Sequence, residues 1–132
     1  MSPLSARRRL RSASVACGID VLRVSRFHQA VKRGGEAFLR RVFTDSERRY
    51  AARHQNGLLR LAARFAAKEA VVKAMSQLDP THAVMMRQVE IVNDRLGRPT
   101  VTLHEWPRKL PRIEVSLSHE DQVVVACAIA FR

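Results

Sequence analysis

Three polar residues stand in otherwise apolar stretches of the sequence: Asp20, Glu69 and His119. An ionised carboxylate in such surroundings costs several kcal/mol unless it is paired or holds a metal ion. Two carboxylates without a Cys or His cluster favour a hard cation such as Mg²⁺. Water and substrate phosphates complete the coordination shell of such an ion. Such an ion stabilises charge as a phosphoryl bond breaks, and nearby Arg and Lys would suit a polyphosphate substrate.

Each of these residues also has a plain structural interpretation. Glu69 could pair with Lys73, which follows one helical turn later. Asp20 could cap the helix that follows its strand, and His119 could bind the backbone of a turn. The residue types and their spacing alone leave these alternatives open.

The stretch from Leu58 to Ser76 predicts a long helix, because it lacks Pro and Gly and is rich in Ala, Leu, Arg, Lys and Glu. At roughly 100° per residue, one stripe has Glu69 near its middle and is expected to face the core. The stripe consists of Leu58, Leu61, Ala62, Phe65, Val72 and Ser76. The sequence therefore predicts a carboxylate at the rim of the core.

The residues before this helix predict a strand and two shorter helices. Val15 to Val21 reads as a buried strand that carries Asp20 near its end. A helix over Arg26 to Lys32 is predicted, with Ser25 as its cap and Gly34-Gly35 as its end. Thr44 and Glu47 fit a capping box, which starts a helix that runs to about His54.

The last third of the chain predicts four strands. Val89 to Asn93 and Thr100 to Leu103 form a hairpin around a Gly-containing turn. Ile113 to Ser118 alternates as a strand, His119 begins a turn, and the apolar run Val123 to Phe131 predicts a buried central strand. The order of elements predicts an α+β fold.

The length of 132 residues suits one domain, over residues 15–132, after a flexible basic arm over residues 1–14. No apolar run approaches the roughly 20 residues that span a bilayer. Cys17 and Cys127 lie in apolar stretches without a C-x-x-C pair, which predicts neither a zinc site nor a disulfide. A reduced, cytoplasmic location is expected.

Lys and Arg number 24 against 12 Asp and Glu, a net charge of +12. Such a charge predicts an anionic partner: nucleic acid, a phosphorylated small molecule, an acidic protein or an anionic membrane. Aromatic residues are only 5% and no nucleic-acid-binding motif is present, so nucleic acid is not expected. A basic surface that serves only solubility remains an alternative.

Five motifs in a fixed order carry a resemblance that covers nearly all of residues 15–132. They are Gly18-Ile-Asp-Val21 with Arg26-Phe27; Arg41-Val-Phe-Thr44 with Glu47; Arg64-Phe-Ala-Ala-Lys-Glu-Ala70 through Lys73-Ala74; Val89-Glu-Ile91 with Gly97-Arg-Pro99; and Val115-Ser-Leu-Ser-His119. By these motifs the chain resembles the holo-(acyl-carrier-protein) synthases, which are small 4′-phosphopantetheinyl transferases.

The resemblance implies the 4′-phosphopantetheinyl transferase fold, with a small antiparallel sheet packed against a long helix. It implies transfer of the 4′-phosphopantetheine group from coenzyme A to a serine of an apo acyl carrier protein, with release of adenosine 3′,5′-bisphosphate. Members of the family are homotrimers with active sites between subunits, so a homotrimer is expected. A member that binds coenzyme A or a carrier protein without transfer is the alternative.

The motifs also imply roles for particular residues. Asp20 and Glu69 would hold Mg²⁺ against the diphosphate, and Lys73 would reach the phosphates and assist the leaving group. A metal-held water or Glu69 would deprotonate the carrier serine. The residues implied to bind coenzyme A are Lys68, Lys73, Gly97, Arg98, Pro99 and His119.

Carrier proteins are acidic, so basic residues are expected to contact the carrier. The candidates are Arg26 near the first motif and Arg48, Arg49 and Arg53 on the helix after the capping box.

The sequence departs from the family pattern at two places. Arg23 stands where the family commonly has an acid three positions after Asp20. The stretch Met75 to Pro80 replaces a Gly-Thr-Gly turn. We hypothesise that these departures mark a member dedicated to the carrier of a specialised pathway rather than of primary fatty-acid synthesis.

Overall fold

Residues 14–132 are described by the computed structural model, and apart from Ser14 the predicted basic arm lies outside them. The elements are β1 (Val15–Arg23), α1 (Val24–Val42), α2 (Asp45–Ala52), α3 (Gly57–Leu78), a 3₁₀ turn (Met86–Gln88), β2 (Val89–Asn93), β3 (Pro99–Leu103), β4 (Arg112–Glu120) and β5 (Val123–Phe131). This order confirms the α+β prediction. Among these elements, no helix is both long and apolar enough to cross a membrane.

An antiparallel sheet in the order β1-β5-β4 forms the main layer, with β5 in the centre as its apolar sequence predicts. Asp20 on β1 lies opposite Ala126 on β5, which in turn lies opposite Leu117 on β4. The predicted hairpin is confirmed as a separate two-stranded sheet of β2 and β3.

Small residues line the contact between α3 and the inner face of this sheet. Ala66, Ala70 and Ala74 of α3 are fully buried, as are Ala126 and Ala128 of β5. On β1 the contact is closer still, because a Cβ at Gly18 would overlap the carbonyl oxygen of Ala70. Only glycine therefore lets α3 lie at its observed distance from β1.

The predicted core stripe of α3 is right only in part: Leu61 and Ala62 are buried, and Phe65 and Val72 pack against the core. Leu58 is 44% exposed and Ser76 is exposed, while Arg64 and Lys68 are buried. The helix packs on the sheet, on α2 and on β2 at once, so it is buried nearly all round and its sequence shows little amphipathic periodicity. Glu69 lies at the partly exposed edge of the helix next to β1 rather than in the middle of the core face.

Helix α1 is longer than the sequence predicts. It begins after Arg23 rather than at Ser25, and it continues past Gly35, where a φ of 56° marks a kink. Continuation beyond the glycines is explained by packing, because Phe38 in the second half of α1 contacts Phe27 and Phe65. Gly35 thus interrupts the helix as the sequence predicts, and burial of aromatic rings holds the helical segment that follows it.

The outer face of the main sheet is apolar and exposed. Val15, Ile19 and Val21 of β1 are 59–66% exposed, and Ile129 of β5 is 42% exposed. A strand of a two-layer domain would be expected to carry polar residues on the face turned to water. This face therefore has the character of an interaction surface.

The close approach of α3 to β1 leads to a test at Gly18. We expect Gly18→Ala to lower the free energy of unfolding by at least about 1–3 kcal/mol, because the added methyl group forces the helix and strand apart. Urea denaturation followed by circular dichroism measures the change. Cys17→Ala, on the exposed face of the same strand, is the control. Equal unfolding midpoints for the two variants would contradict the packing argument.

Candidate active site

The fold brings Asp20 and Glu69 together at one cavity of about 500 Å³. Asp20 comes from the inner face of β1 and Glu69 from the neighbouring edge of α3. Burial raises the pKa of Glu69, and the negative charge of Asp20 raises that pKa further. The two carboxylates predicted from the sequence therefore interact through space. We call this space the carboxylate cavity.

Lys73 is anchored beside Asp20. Its ammonium group donates to the carbonyl oxygen of Ile19 at 2.9 Å and lies 3.3 Å from the carboxylate of Asp20. The predicted structural pair of Lys73 with Glu69 does not form, although the positive charge of Lys73 lowers the pKa of Glu69. Glu69 makes no ion pair within the part of the chain that the structure describes.

The walls of the carboxylate cavity combine aromatic rings with arginines. Phe27 and Phe65 form one side, with ring centroids 5.5 Å apart. Arg23, which departs from the resembled family, and Arg26, predicted to contact a carrier protein, also line the cavity and are exposed. The cavity thus offers two carboxylates for a cation and several cationic groups for an anion.

The two carboxylates suit a hard cation. Burial and the charge of Asp20 both disfavour ionised Glu69, so a cation between the two groups would relieve a cost that the fold has created. Within residues 14–132 no cluster of three or more His, Cys, Asp or Glu side chains is present. Two carboxylate ligands with open positions are typical of Mg²⁺ that also binds substrate phosphates.

Lys68 lies away from any place where a nucleotide or phosphate could reach it. Its side chain is completely buried, and its ammonium group lies 2.5 Å from the carboxylate of Glu47, which is equally buried. Burial lowers the pKa of Lys68, and the charge of Glu47 opposes that effect. The predicted contact of Lys68 with coenzyme A therefore has no support in this geometry, which gives Lys68 a place in the core.

Glu47 connects three elements through its two carboxylate oxygens. Oε1 accepts from the backbone N–H of Thr44, which confirms the predicted capping box, and also from Lys68. Oε2 accepts from the backbone N–H of Ile91 on β2. The sequence pattern located only the local bond, because the contacts with α3 and β2 join residues far apart in the chain.

Gly97, Arg98 and Pro99 lie at a second cavity of about 880 Å³, between the hairpin turn, β4 and the first half of α3. Gly97 has a φ of 79°, which favours glycine, and Asp94 accepts from the backbone and side chain of Arg98. Arg60 and Arg64 also line this space, which we call the hairpin cavity.

Arg64 is a residue to which sequence reasoning gave no role. It is 6% exposed, its guanidinium lies 4.0 Å from the ring centroid of Tyr50, and its Nε has no hydrogen-bond partner. A buried arginine with an unused donor beside a cavity can bind an anion such as a phosphate. The signal in the sequence is an arginine one turn before Lys68 on a helix that is buried nearly all round.

His119 lies far from Asp20 within one chain. It is exposed in the last part of β4, which extends to Glu120, so the predicted turn begins later than expected. His119 pairs with Val124 on β5, and Val124 pairs with Leu22 on β1. Two strand spacings of about 4.8 Å each therefore separate His119 from the edge that carries Asp20.

The arginines predicted to contact a carrier lie on two elements. Arg49 of α2 and Arg53, which follows the end of that helix, are exposed. Arg48 on the same helix is partly buried and pairs with Asp45. This pairing and the nearby Arg87 help to hold the pKa of Asp45 below its usual value.

A family model described as the 4′-phosphopantetheinyl transferase superfamily matches residues 16–128. The chain belongs to this superfamily. The matched residues include both carboxylates of the carboxylate cavity, Lys73, the hairpin and His119. The family recognised from the motifs is thereby confirmed.

Curated members of the superfamily are similar over most of their length. A holo-(acyl-carrier-protein) synthase from Caldicellulosiruptor saccharolyticus is 41% identical over 120 residues, covering 86% of this chain and 93% of the relative. One from Leptospira biflexa is 34% identical over 124 residues, covering 89% of this chain and 97% of the relative.

Solved structures of the superfamily share the fold. The complex of the Chronobacterium ammoniagenes ACPS with CoA superposes with a TM-score of 0.77 at 26% identity, covering 90% of this chain and 98% of that one. The Mycobacterium tuberculosis acyl carrier protein synthase gives 0.67 at 36% identity, covering 87% and 95%. The predicted fold is therefore confirmed.

The buried ion pair yields a test of the position of Lys68. We expect Lys68→Met to lower the free energy of unfolding by about 3–5 kcal/mol, because it leaves the Glu47 carboxylate buried without a counter-charge. The double variant Lys68→Met/Glu47→Gln should regain part of this loss in urea denaturation. A stable Lys68→Met protein that has lost affinity for coenzyme A would instead place Lys68 at the nucleotide.

The raised pKa of Glu69 predicts a pH dependence of stability. The folded protein holds this proton more tightly than the unfolded chain, so wild type loses stability as pH rises from the ordinary value of 4.5 through the folded pKa. Glu69→Gln lacks this loss. In metal-free buffer, its free energy of unfolding relative to wild type should therefore increase with pH across that window.

Urea denaturation at a series of pH values measures this difference. Glu36→Gln, an exposed position on α1, is the control and should track wild type at every pH. A Glu69→Gln advantage that stays constant with pH would show that Glu69 titrates as an ordinary exposed carboxylate.

Proposed function

We propose that this protein transfers the 4′-phosphopantetheine group of coenzyme A to a serine hydroxyl of an apo acyl carrier protein, releasing adenosine 3′,5′-bisphosphate. The observation that carries the proposal is the pair Asp20 and Glu69 beside Lys73 at one cavity. Membership of the superfamily and the names of the relatives support the reaction. Structures of relatives with CoA support the donor.

Asp20 and Glu69 are the residues that would hold Mg²⁺. The bound ion would supply neutralisation of charge on the diphosphate of coenzyme A as the phosphoryl bond breaks. The fit rests on burial and the nearby charge of Asp20, which together raise the pKa of Glu69, and on the partly open position of the two carboxylates.

Lys73 orients the donor. Its ammonium group is half exposed and is held in place by the carbonyl oxygen of Ile19 and the carboxylate of Asp20. From there it would contact the phosphates and stabilise the negative charge that develops on the leaving bisphosphate. The serine oxygen forms the new bond to phosphorus while the phosphoryl bond to the bisphosphate breaks.

Glu69 is the group of the carboxylate cavity suited to accept the serine proton. Its carboxylate is only partly buried at this cavity, so an incoming hydroxyl group can reach it. The aromatic wall of Phe27 and Phe65 would keep water from the reacting phosphorus.

A homotrimer with active sites between subunits is part of the proposal. Asp20 lies at the β1 edge of the sheet, while His119 and the hairpin cavity lie at the β4 edge, with β5 between them. Within one chain, the two groups of residues that together form the family's active site therefore lie at opposite edges of the sheet. The exposed apolar outer face of the sheet provides a surface on which copies of the chain could associate.

The hairpin cavity of the neighbouring subunit would bind the nucleotide end of coenzyme A. Gly97, Arg98 and Pro99 shape its rim, and Arg60 and Arg64 supply further positive charge. His119 would lie near the phosphates of the donor. Arg64 adds positive charge to the wall of this cavity, where its guanidinium lies 4.0 Å from the ring centroid of Tyr50.

The carrier protein would approach over Arg26 and the basic side of α2. Arg26 lines the carboxylate cavity, Arg48 and Arg49 lie on α2, and Arg53 is exposed just after its end. A net charge of +12 on 132 residues would steer an acidic carrier toward this surface.

The transfer itself is the first test. The protein mixed with coenzyme A, Mg²⁺ and several apo carrier proteins should add one phosphopantetheine group to a carrier, read by intact mass spectrometry. Asp20→Asn and Glu69→Gln should abolish the addition, while Glu36→Gln should retain it. Binding of coenzyme A without transfer to any carrier would support the non-catalytic alternative, which Arg23 at the carboxylate cavity favours.

Mixing two inactive variants tests the shared site. Asp20→Ala removes the carboxylate half, and His119→Ala removes the half at the opposite edge. Co-refolded trimers of the two should regain activity, because about one site in four combines two intact halves if subunits mix at random. Each variant refolded alone is the control. No recovery in mixed trimers would place each site within one chain.

A further inference from the structure

A third cavity, of about 470 Å³, opens at the carboxyl end of α3. It lies between the last turn of the helix, the loop over residues 104–111 and the paired ends of β4 and β5. We call it the Trp106 cavity. Asp79 at this end is ten residues beyond Glu69, so the helix rise of 1.5 Å per residue puts about 15 Å between the two sites. The cavity is therefore separate from the carboxylate cavity.

The floor of the Trp106 cavity is apolar. Met75 and Leu78 of α3 are fully buried beneath it, and Trp106, which packs against the core, lines it together with Pro111. Leu110 stands at the mouth and is 60% exposed. An apolar concavity of this size can accept a small ligand with an alkyl part.

The rim of the cavity is strongly basic. It carries the four cations Arg108, Lys109, Arg112 and Arg132. Their one acidic neighbour among the lining residues is Asp79, which contacts Arg108 at 3.3 Å and Arg132 at 3.5 Å. These cations outnumber the acid, so the rim favours an anion.

The individual cations differ in how far they are already engaged. Asp79 also accepts from Thr81 at 2.6 Å, so its charge is shared among several donors. Arg112 pairs with exposed Glu114 at 3.0 Å. Lys109 is exposed and has no acidic partner within residues 14–132. Lys109 is thus the cation most available to an incoming anion.

We propose that the Trp106 cavity binds an amphipathic anion, a medium-chain fatty acyl carboxylate, independently of the phosphopantetheine transfer. The alkyl chain lies against Trp106, Leu110 and Pro111, above the buried Met75 and Leu78, and the carboxylate lies at the rim beside Lys109. Both parts are required, because the apolar lining does not bind a charge and the cations of the rim do not bury an alkyl chain.

Trp106 provides the measurement, since it is the one tryptophan of the chain. Titration of the full-length protein with decanoate, below the concentration at which it forms micelles, should give a saturable change in tryptophan emission. Acetate, which has the charge without the chain, and decanol, which has the chain without the charge, should bind at least about tenfold more weakly.

Lys109→Glu should weaken decanoate binding roughly tenfold, because an attraction at the rim becomes a repulsion. Lys32→Glu, an exposed lysine on α1, makes the same change in net charge and should leave the affinity unaltered. Leu110→Asp at the mouth of the cavity should also weaken decanoate binding. Because Leu110 is exposed, this substitution is compatible with folding. Circular dichroism confirms that each variant is folded.

Several outcomes would overturn the proposal. These are no saturable emission change, equal affinity for decanol and decanoate, or equal weakening by Lys109→Glu and Lys32→Glu. Competition by adenosine 3′,5′-bisphosphate at similar affinity would assign the cavity to the nucleotide, and binding only to anionic vesicles would assign it to a membrane surface. Decanoate binding does not depend on the transfer reaction. If the protein transfers no phosphopantetheine in the assay above, the expected binding stays the same.

Discussion

The close approach of α3 to β1 decides where the residues of the candidate active site lie. Gly18 permits it, because a side chain there would overlap the backbone of Ala70. With the helix at this distance, Glu69 stands at its partly buried edge near Asp20, and Lys73 one turn later reaches the carbonyl oxygen of Ile19. A small change in packing would therefore separate two carboxylates whose interaction raises the pKa of Glu69.

The buried pair of Glu47 and Lys68 fixes the opposite side of the same helix. One carboxylate joins the start of α2, the middle of α3 and the backbone of β2. Burying two charges costs desolvation energy, so the pair is weak as a source of net stability, but its directional bonds hold three elements in one arrangement. It also has a consequence for chemistry, because adjacent residues Lys68 and Glu69 lie on different sides of α3, one in the core and one at a cavity.

Membership of the 4′-phosphopantetheinyl transferase superfamily offers an interpretation of candidate site residues that lie on opposite edges of the sheet within one chain. Asp20 and His119 lie on different strands with β5 between them, and the hairpin cavity adjoins the strand that carries His119. Under the proposed function, the exposed apolar face of the sheet and the divided site have one explanation, since association of copies would cover the face and complete the site. The basic surface then serves the two anionic substrates.

The sequence by itself determined the family, the order of elements, the capping box and the central position of β5, and it singled out Asp20 and Glu69 as candidate site residues. These follow from local patterns: alternation, apolar runs, cap residues and carboxylates in apolar stretches. Tertiary structure alone decided the face that α3 buries, the continuation of α1 past Gly35, the burial of Lys68 and the unpartnered Nε of Arg64. Each of these depends on what packs against a residue from a distant part of the chain. A helix that is covered on nearly every side has no periodicity from which its orientation could be read.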